Sequence, residues 1–245
     1  MTFLQKTQSA RPSSLAARLN FTHWSPRTAS LVSGVALAIM AVLAAVANFG
    51  AIVPLVTPGD AAATTQAIRG AEPLFVTGVI LLFMVTLLDI LVAGAWYALF
   101  RDVHRTVAAV AAWTRTVFAV AFMVAIGQLV AAVTHLDEPA VVLRSVEAFT
   151  TIWVTSLGLF GIHLLLIGYL AWRSGFVPRV LGGLLGLAGV GYLADAIGIT
   201  LVEDFSAVFA QYLFVGEVAI IFWLLIRGRR LGARSPRQAT GPRAR

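Results

Sequence analysis

The stretch LFVTGVILLFMVTLLDILVAGAWYALF, residues 74–100, decides the fold of this chain. A helix needs about 20 apolar residues to cross the hydrocarbon core of a bilayer, and this run exceeds that length with Asp89 as its one charged side chain. The run is continuously apolar and lacks the alternating pattern of a membrane β-strand. It therefore predicts a transmembrane helix.

Five further runs have the same length and character, so the sequence predicts an all-α, polytopic integral membrane protein, a bundle of six transmembrane helices. The runs divide the chain into a basic N-terminal tail (1–28), a six-helix transmembrane domain (29–227) and a basic C-terminal tail expected to be disordered (228–245). The six predicted spans are 29–54, 74–100, 106–134, 148–172, 178–201 and 205–226.

The composition excludes whole classes of protein. Of the 245 residues, 59% are hydrophobic and 12% are charged, against about 25% charged residues in soluble domains. The mean hydropathy is +0.89. A soluble fold of this size cannot cover so much apolar surface, which excludes a cytosolic enzyme, a nucleic-acid module and a disordered chain. The chain has no cysteine, which excludes disulfides and thiolate ligands.

The charges predict the orientation. The two tails and the even-numbered loops carry 15 basic residues and one acidic residue, whereas the opposite side carries two basic and seven acidic residues. By the positive-inside rule, both termini are expected in the cytoplasm. The pI near 11.0 then reflects topology, so no nucleic-acid partner is expected. We expect the tails to attract anionic lipid headgroups, and the Ala- and Arg-rich composition favours a bacterial plasma membrane.

The sequence predicts the structure of the loop that follows the first span. Pro58, Gly59 and Asp60 interrupt the chain after the first span. Because aspartate is a preferred N-cap residue, Asp60 predicts a short helix outside the membrane, from Ala61 to Ile68.

We single out six of the polar side chains inside the predicted spans, because an ionisable group there costs about 2.5–3.5 kcal/mol and usually faces a partner in the bundle. Counting about 1.5 Å of rise per residue from the cytoplasmic ends places four of them in one layer near the midplane and two further out. The inner layer is Asp89, Arg115, His163 and Glu217, and the outer layer is Asp195 and Gln211.

These depths predict two pairs. Asp89 and Arg115 lie at similar depth on consecutive antiparallel spans, which predicts an ion pair. His163 and Glu217 are expected to form a second pair and to line one cavity with Asp195 or Gln211 above it. All six side chains are thus candidate binding residues, with the alternative that they only hold the helices together.

The chain resembles a known family in four motifs: PGDAAAT at 58–64, HLLLIGYLAWRSGFVPR at 163–179, GYLAD at 191–195 and GE at 216–217. It is similar over about 29–227 to a bacterial six-span membrane family known as domain of unknown function 4386. The resemblance implies the six-helix fold and attaches no activity to it.

Three hypotheses about function remain open. The polar layer binds or translocates protons or a small solute; it serves a membrane-embedded enzyme acting on lipid; or it is structural or sensory, holding the helices together. No nucleotide-binding motif or nucleophile elbow is present, and His163 is the one histidine within a span. We therefore expect no metal and no cofactor, and a permease of six spans would more readily be a homo-oligomer.

Overall fold

The computed structural model of the protein describes residues 24–202 and 205–231, with the side chains of residues 210 and 211 outside that description. These residues contain helices and no strand. α1 continues into a π-helical and then a 3-10 segment, and a 3-10 turn follows α8. The elements are α1 Pro26–Ala45, Val46–Ile52 (π), Val53–Leu55 (3-10), α2 Ala61–Gly70, α3 Glu72–Phe100, α4 Arg105–Thr134, α5 Pro139–Arg173, α6 Arg179–Leu201, α7 Phe209–Leu213, α8 Val215–Ile226 and Gly228–Arg230 (3-10).

Five helical stretches within the described ranges are long and apolar enough to cross a membrane. The first is Pro26–Leu55, and the others are α3, α4, α5 and α6. Large apolar side chains project from their outer surfaces; the exposed fraction is 76% for Phe49, 68% for Trp113 and 59% for Val120. Such a surface is stable against lipid and not against water. The expected class, an all-helical protein with several membrane spans, is confirmed.

The sixth predicted span is not one continuous helix. The run 205–226 contains the five-residue α7 and the twelve-residue α8, separated by a turn at Phe214. At Gly216, an added Cβ would lie 2.8 Å from the backbone carbon of Leu184, so α8 packs directly on the α6 backbone. Residues 205–208 form no helix and lie against α6. The run is therefore interrupted where it packs on α6. We call residues 205–226 the broken segment.

Local sequence signals set other boundaries. The Asp60 side chain accepts a hydrogen bond from the backbone N–H of Ala63 at 2.9 Å, which confirms the predicted N-cap. α5 begins at Pro139, nine residues before the predicted span at 148. Its first turns are amphipathic, because Val142 is buried while Arg144 is exposed, so the helix extends beyond its apolar run.

The long helices pack in a closed ring. Each of α3, α4, α5 and α6 packs on the next, and α8 packs on both α6 and α1, while α1 returns to α3. The hydroxyl of Ser30 in α1 donates to the carbonyl of Leu224 in α8 at 3.0 Å. The broken segment is therefore part of the bundle and lies between its first and fifth long helices, α1 and α6.

One end of the ring gathers the start of α1, the α3–α4 turn and the end of α8. A guanidinium nitrogen of Arg101 donates to the Trp24 carbonyl at 3.4 Å. The Phe176 ring stacks on both Phe100 and Trp223. We call this the basic end, because Arg101, the arginines at 227, 229 and 230 and the α5–α6 turn lie there.

The closest helix contact joins α5 and α6 through glycines. A Cβ added to Gly161 would lie 2.7 Å from the carbonyl oxygen of Gly189, and one added to Gly168 would lie 2.7 Å from that of Gly182. Any larger side chain would force the two backbones apart. Small residues at such contacts let helices approach closely in the membrane, where packing drives association.

Candidate functional site

An ion pair lies in the centre of the bundle. The Arg115 Nη2 atom in α4 is 2.6 Å from Asp89 Oδ1 in α3, and both residues are 2% exposed. Two charges removed from water are tolerated when each neutralises the other. The ion pair predicted from matched depth is confirmed, and it ties α3 to α4.

His163 in α5 joins this pair with both of its ring nitrogens. Nε2 is 3.2 Å from Arg115 Nη1, and Nδ1 is 2.8 Å from the carbonyl oxygen of Ala111. A guanidinium can only donate and a carbonyl can only accept. The ring is therefore the neutral tautomer, with its proton on Nδ1 and its Nε2 lone pair accepting from Arg115. We call Asp89, Arg115 and His163 the ionic cluster.

Aromatic rings enclose the ionic cluster. The Arg115 guanidinium carbon lies 5.2 Å from the centre of the Phe160 ring, and the rings of Phe160 and Trp96 lie 5.8 and 5.7 Å from that of His163. Cation–π contact stabilises a desolvated guanidinium. Among the described residues, Arg115 Nε and Trp96 Nε1 have no hydrogen-bond acceptor although both are buried. Arg115 and the neighbouring Trp96 thus offer two buried donors to the oxygen of a water or a polar solute.

A half-buried carboxylate lies in the broken segment. Glu217 occupies the first turn of α8, and its Oε1 accepts a hydrogen bond of 2.8 Å from the hydroxyl of Tyr192 in α6. The Tyr192 ring meets Phe160 edge to face at 5.3 Å. Phe160 therefore contacts both the ionic cluster and the tyrosine that binds Glu217.

Asp195 in α6 binds backbone amides. Its side chain is fully buried, and Oδ1 accepts hydrogen bonds from the backbone N–H groups of Val208 and Phe209 at 3.0 and 3.1 Å. These amides belong to the start of α7, which lacks helical acceptors for them. Asp195 therefore fixes the broken segment to α6.

The predicted pair between His163 and Glu217 is wrong. Both ring nitrogens of His163 bind other groups, and Glu217 binds Tyr192. The reason is that the Ala111 carbonyl accepts the imidazole proton that Glu217 was expected to accept, and Arg115 donates to the other ring nitrogen. Gln211 lies in α7, and its side chain is outside the described part of the chain. The role of all six residues in binding a ligand stays a prediction.

Two contributors were missed from the sequence although a signal existed. Tyr192 lies three residues before Asp195, on the same face of the helix, and Trp96 lies two turns after Asp89 on one face of α3. A search for aromatic residues at spacings of three, four and seven from each buried charge would have found both.

The arrangement limits the chemistry. With both nitrogens occupied, His163 is not free to act as a general base or to ligate a metal. The hydroxyl of Ser156 donates to the backbone carbonyl of Trp153 at 2.7 Å, as helix serines commonly do, and is not poised as a nucleophile. Glu217 is a half-buried ionisable group whose partner, a phenol, is neutral.

Comparison with known proteins identifies relatives without a known activity. An "Uncharacterized protein" of Archaeoglobus fulgidus is 32% identical over 150 residues, which cover 61% of this chain and 83% of that protein. No solved structure matches the chain.

The family comparison covers most of the bundle. The model of the family described as "Domain of unknown function (DUF4386)" matches residues 32–228, from the first helix to the end of α8. That range contains every residue of the ionic cluster, Asp195 and Glu217. The chain therefore belongs to the DUF4386 family.

Proposed function

We propose that this integral membrane protein binds or translocates protons, alone or with a small polar solute, where the broken segment meets the buried polar residues. The observation that carries the proposal is Glu217, a half-buried carboxylate at the start of a half-helix, held by the neutral hydroxyl of Tyr192. Intramembrane carboxylates mark proton and ion pathways, and interrupted helices form the binding sites of many transporters. Glu217 combines both features.

The ionic cluster has a supporting role in this proposal. Its charges satisfy one another, so it holds α3, α4 and α5 in register and gives Glu217 a polar neighbourhood. The free donors on Arg115 and Trp96 favour a polar solute or water nearby. A buried donor without an acceptor costs about 1–3 kcal/mol, which an oxygen atom of a bound molecule would recover.

The proposed topology has six spans and cytoplasmic termini. α7 and α8 together run over residues 209–226, about 27 Å of helix, close to the thickness of the hydrocarbon core. The start of α1 and the end of α8 meet at the basic end, as an even number of spans requires. The charge asymmetry then favours a cytoplasmic basic end in a bacterial plasma membrane, with the tails on anionic lipid headgroups and no nucleic-acid partner.

The test uses the full-length protein in liposomes that enclose a pH-sensitive dye. After an imposed pH gradient, the wild type should dissipate it faster than empty liposomes, and Glu217→Gln should remove the difference. Glu147→Gln is the matched control, since Glu147 is an exposed glutamate in the outer turns of α5. Equal rates for Glu217→Gln and the wild type would refute the proposal.

A structural role is the second candidate, because the mutual contacts of Asp89, Arg115 and His163 join three helices and favour it. Buried polar contacts in membrane helices contribute about 0.6 kcal/mol on average. If the polar residues only hold the bundle, His163→Ala and Glu217→Gln should lower the thermal unfolding temperature while proton or solute responses stay unchanged. The liposome rates and the unfolding temperatures together distinguish the two functions.

A further inference from the structure

A pocket separate from the ionic cluster lies at the basic end of the bundle. It has a volume of about 270 Å³ and is formed by Tyr97, Arg101, Asp102 and Arg105. Tyr97 lies in the last turn of α3, Arg105 begins α4, and the other two residues form the turn between them. The pocket therefore opens at the surface where two long helices end.

The two arginines of this pocket differ in how they are held. Arg101 donates to the Trp24 carbonyl at 3.4 Å, and its Nε is 3.9 Å from Asp102 Oδ1. Within the described ranges, the guanidinium of Arg105 has neither an ion-pair nor a hydrogen-bond partner. The Asp102 side chain is 83% exposed, so it offsets little of the positive charge. The pocket carries two guanidinium groups against one solvated carboxylate.

The position of Arg105 is not explained by helix stability. It is the first residue of α4, where the positive end of the helix dipole disfavours a cation. The unfavourable energy of a cation at this position is offset if an anion binds beside Arg105. Guanidinium groups bind phosphate oxygens with two parallel hydrogen bonds, and a tyrosine hydroxyl adds a third donor.

The level of the pocket relative to the membrane indicates the source of such an anion. Trp24, Phe176 and Trp223 surround the same end of the bundle, and tryptophan concentrates at the level of lipid headgroups. We propose that Tyr97, Arg101 and Arg105 form a binding pocket for a phosphate group, presented by an anionic lipid headgroup or by a soluble phosphate. This site is built into the α3–α4 turn.

The experiment measures binding to the full-length protein by native mass spectrometry from a neutral detergent. Phosphatidylglycerol is titrated alone and in the presence of inorganic phosphate. Arg105→Gln should weaken binding of phosphatidylglycerol about tenfold, since it removes a charged donor. Asp102→Asn should strengthen it about two- to fivefold, since it removes a repelling carboxylate. Arg173→Gln, an exposed arginine at the basic end and outside the pocket, should change nothing.

The opposite signs of the two pocket variants separate this site from the tails, which are intact in every variant. Competition by inorganic phosphate at similar concentrations would identify soluble phosphate as the ligand, and its absence would identify the lipid headgroup. The proposal is overturned if Arg105→Gln binds phosphatidylglycerol as tightly as Arg173→Gln does, if Asp102→Asn binds no tighter than the wild type, or if neither probe binds.

Discussion

The two halves of the bundle satisfy the carboxylates of their spans in different ways. In α3–α5, Asp89 is neutralised by the charge of Arg115, which His163 also engages. In α6–α8, Asp195 accepts from backbone amides and Glu217 accepts from a phenol. The first half joins continuous helices through a closed ionic cluster. The second half joins an unbroken helix to a broken segment through neutral donors, which leaves it easier to rearrange.

The largest effect is expected from Asp89→Ala. Removing one partner of a buried ion pair leaves an uncompensated charge and costs about 3–5 kcal/mol. The double variant Asp89→Ala/Arg115→Met should be more stable than Asp89→Ala alone, because no charge is stranded. Unfolding titrations in mixed micelles measure the free energy of unfolding of each protein.

Asp102→Ala is the matched control for that measurement. Its carboxylate is exposed and 3.9 Å from Arg101, so its loss should cost about 0–1 kcal/mol. If Asp89→Ala were no more destabilising than Asp102→Ala, the first half of the bundle would not depend on its ion pair, and the contrast between the halves would disappear.

The next effect tests whether the halves are joined rigidly. A Cβ on Gly182 would lie 2.8 Å from the backbone of α5, whereas one on Gly186, a turn later in α6, meets nothing within 4 Å. Gly182→Ala should therefore cost about 1–3 kcal/mol of unfolding free energy through overpacking. Gly186→Ala should be neutral or slightly stabilising, because alanine favours helix. Equal unfolding midpoints in micelles would contradict the close backbone contact.

The sequence predicted the first half better than the second, for a physical reason. Depth counting assumes continuous helices, and Asp89 and Arg115 lie on two helices that are continuous, so they meet as expected. The count for Glu217 runs along the continuous α8, but its expected partner His163 binds Arg115 and Ala111 instead, and the count for Gln211 crosses the interruption at Phe214. Apolar composition predicts that residues 205–226 lie in the membrane. It does not predict the hydrogen bonds by which Asp195 holds the start of α7 where the helix is interrupted.

The third effect is local to the broken segment. Asp195→Ala leaves the amides of Val208 and Phe209 without their acceptor and should cost about 1–2 kcal/mol. Asp195→Asn keeps an acceptor oxygen and should cost less. Hydrogen exchange should increase in residues 205–213 of Asp195→Ala while α3 and α4 remain protected. A uniform increase throughout the chain would show that the second half is no less rigid than the first.

The smallest effect on stability is expected from Tyr192→Phe, and it is the most informative about function. The substitution removes the hydroxyl that binds Glu217 and keeps the ring that packs on Phe160. One hydrogen bond between membrane helices contributes about 0.6 kcal/mol, so the unfolding midpoint should move little. If Glu217 is the group that takes up protons, losing its donor should change the pH dependence of gradient dissipation in liposomes. Tyr97→Phe is the matched control, since Tyr97 lies in the pocket of the basic end, and it should leave that dependence unchanged. An identical pH dependence in Tyr192→Phe and the wild type would mean that the hydroxyl of Tyr192 serves packing alone.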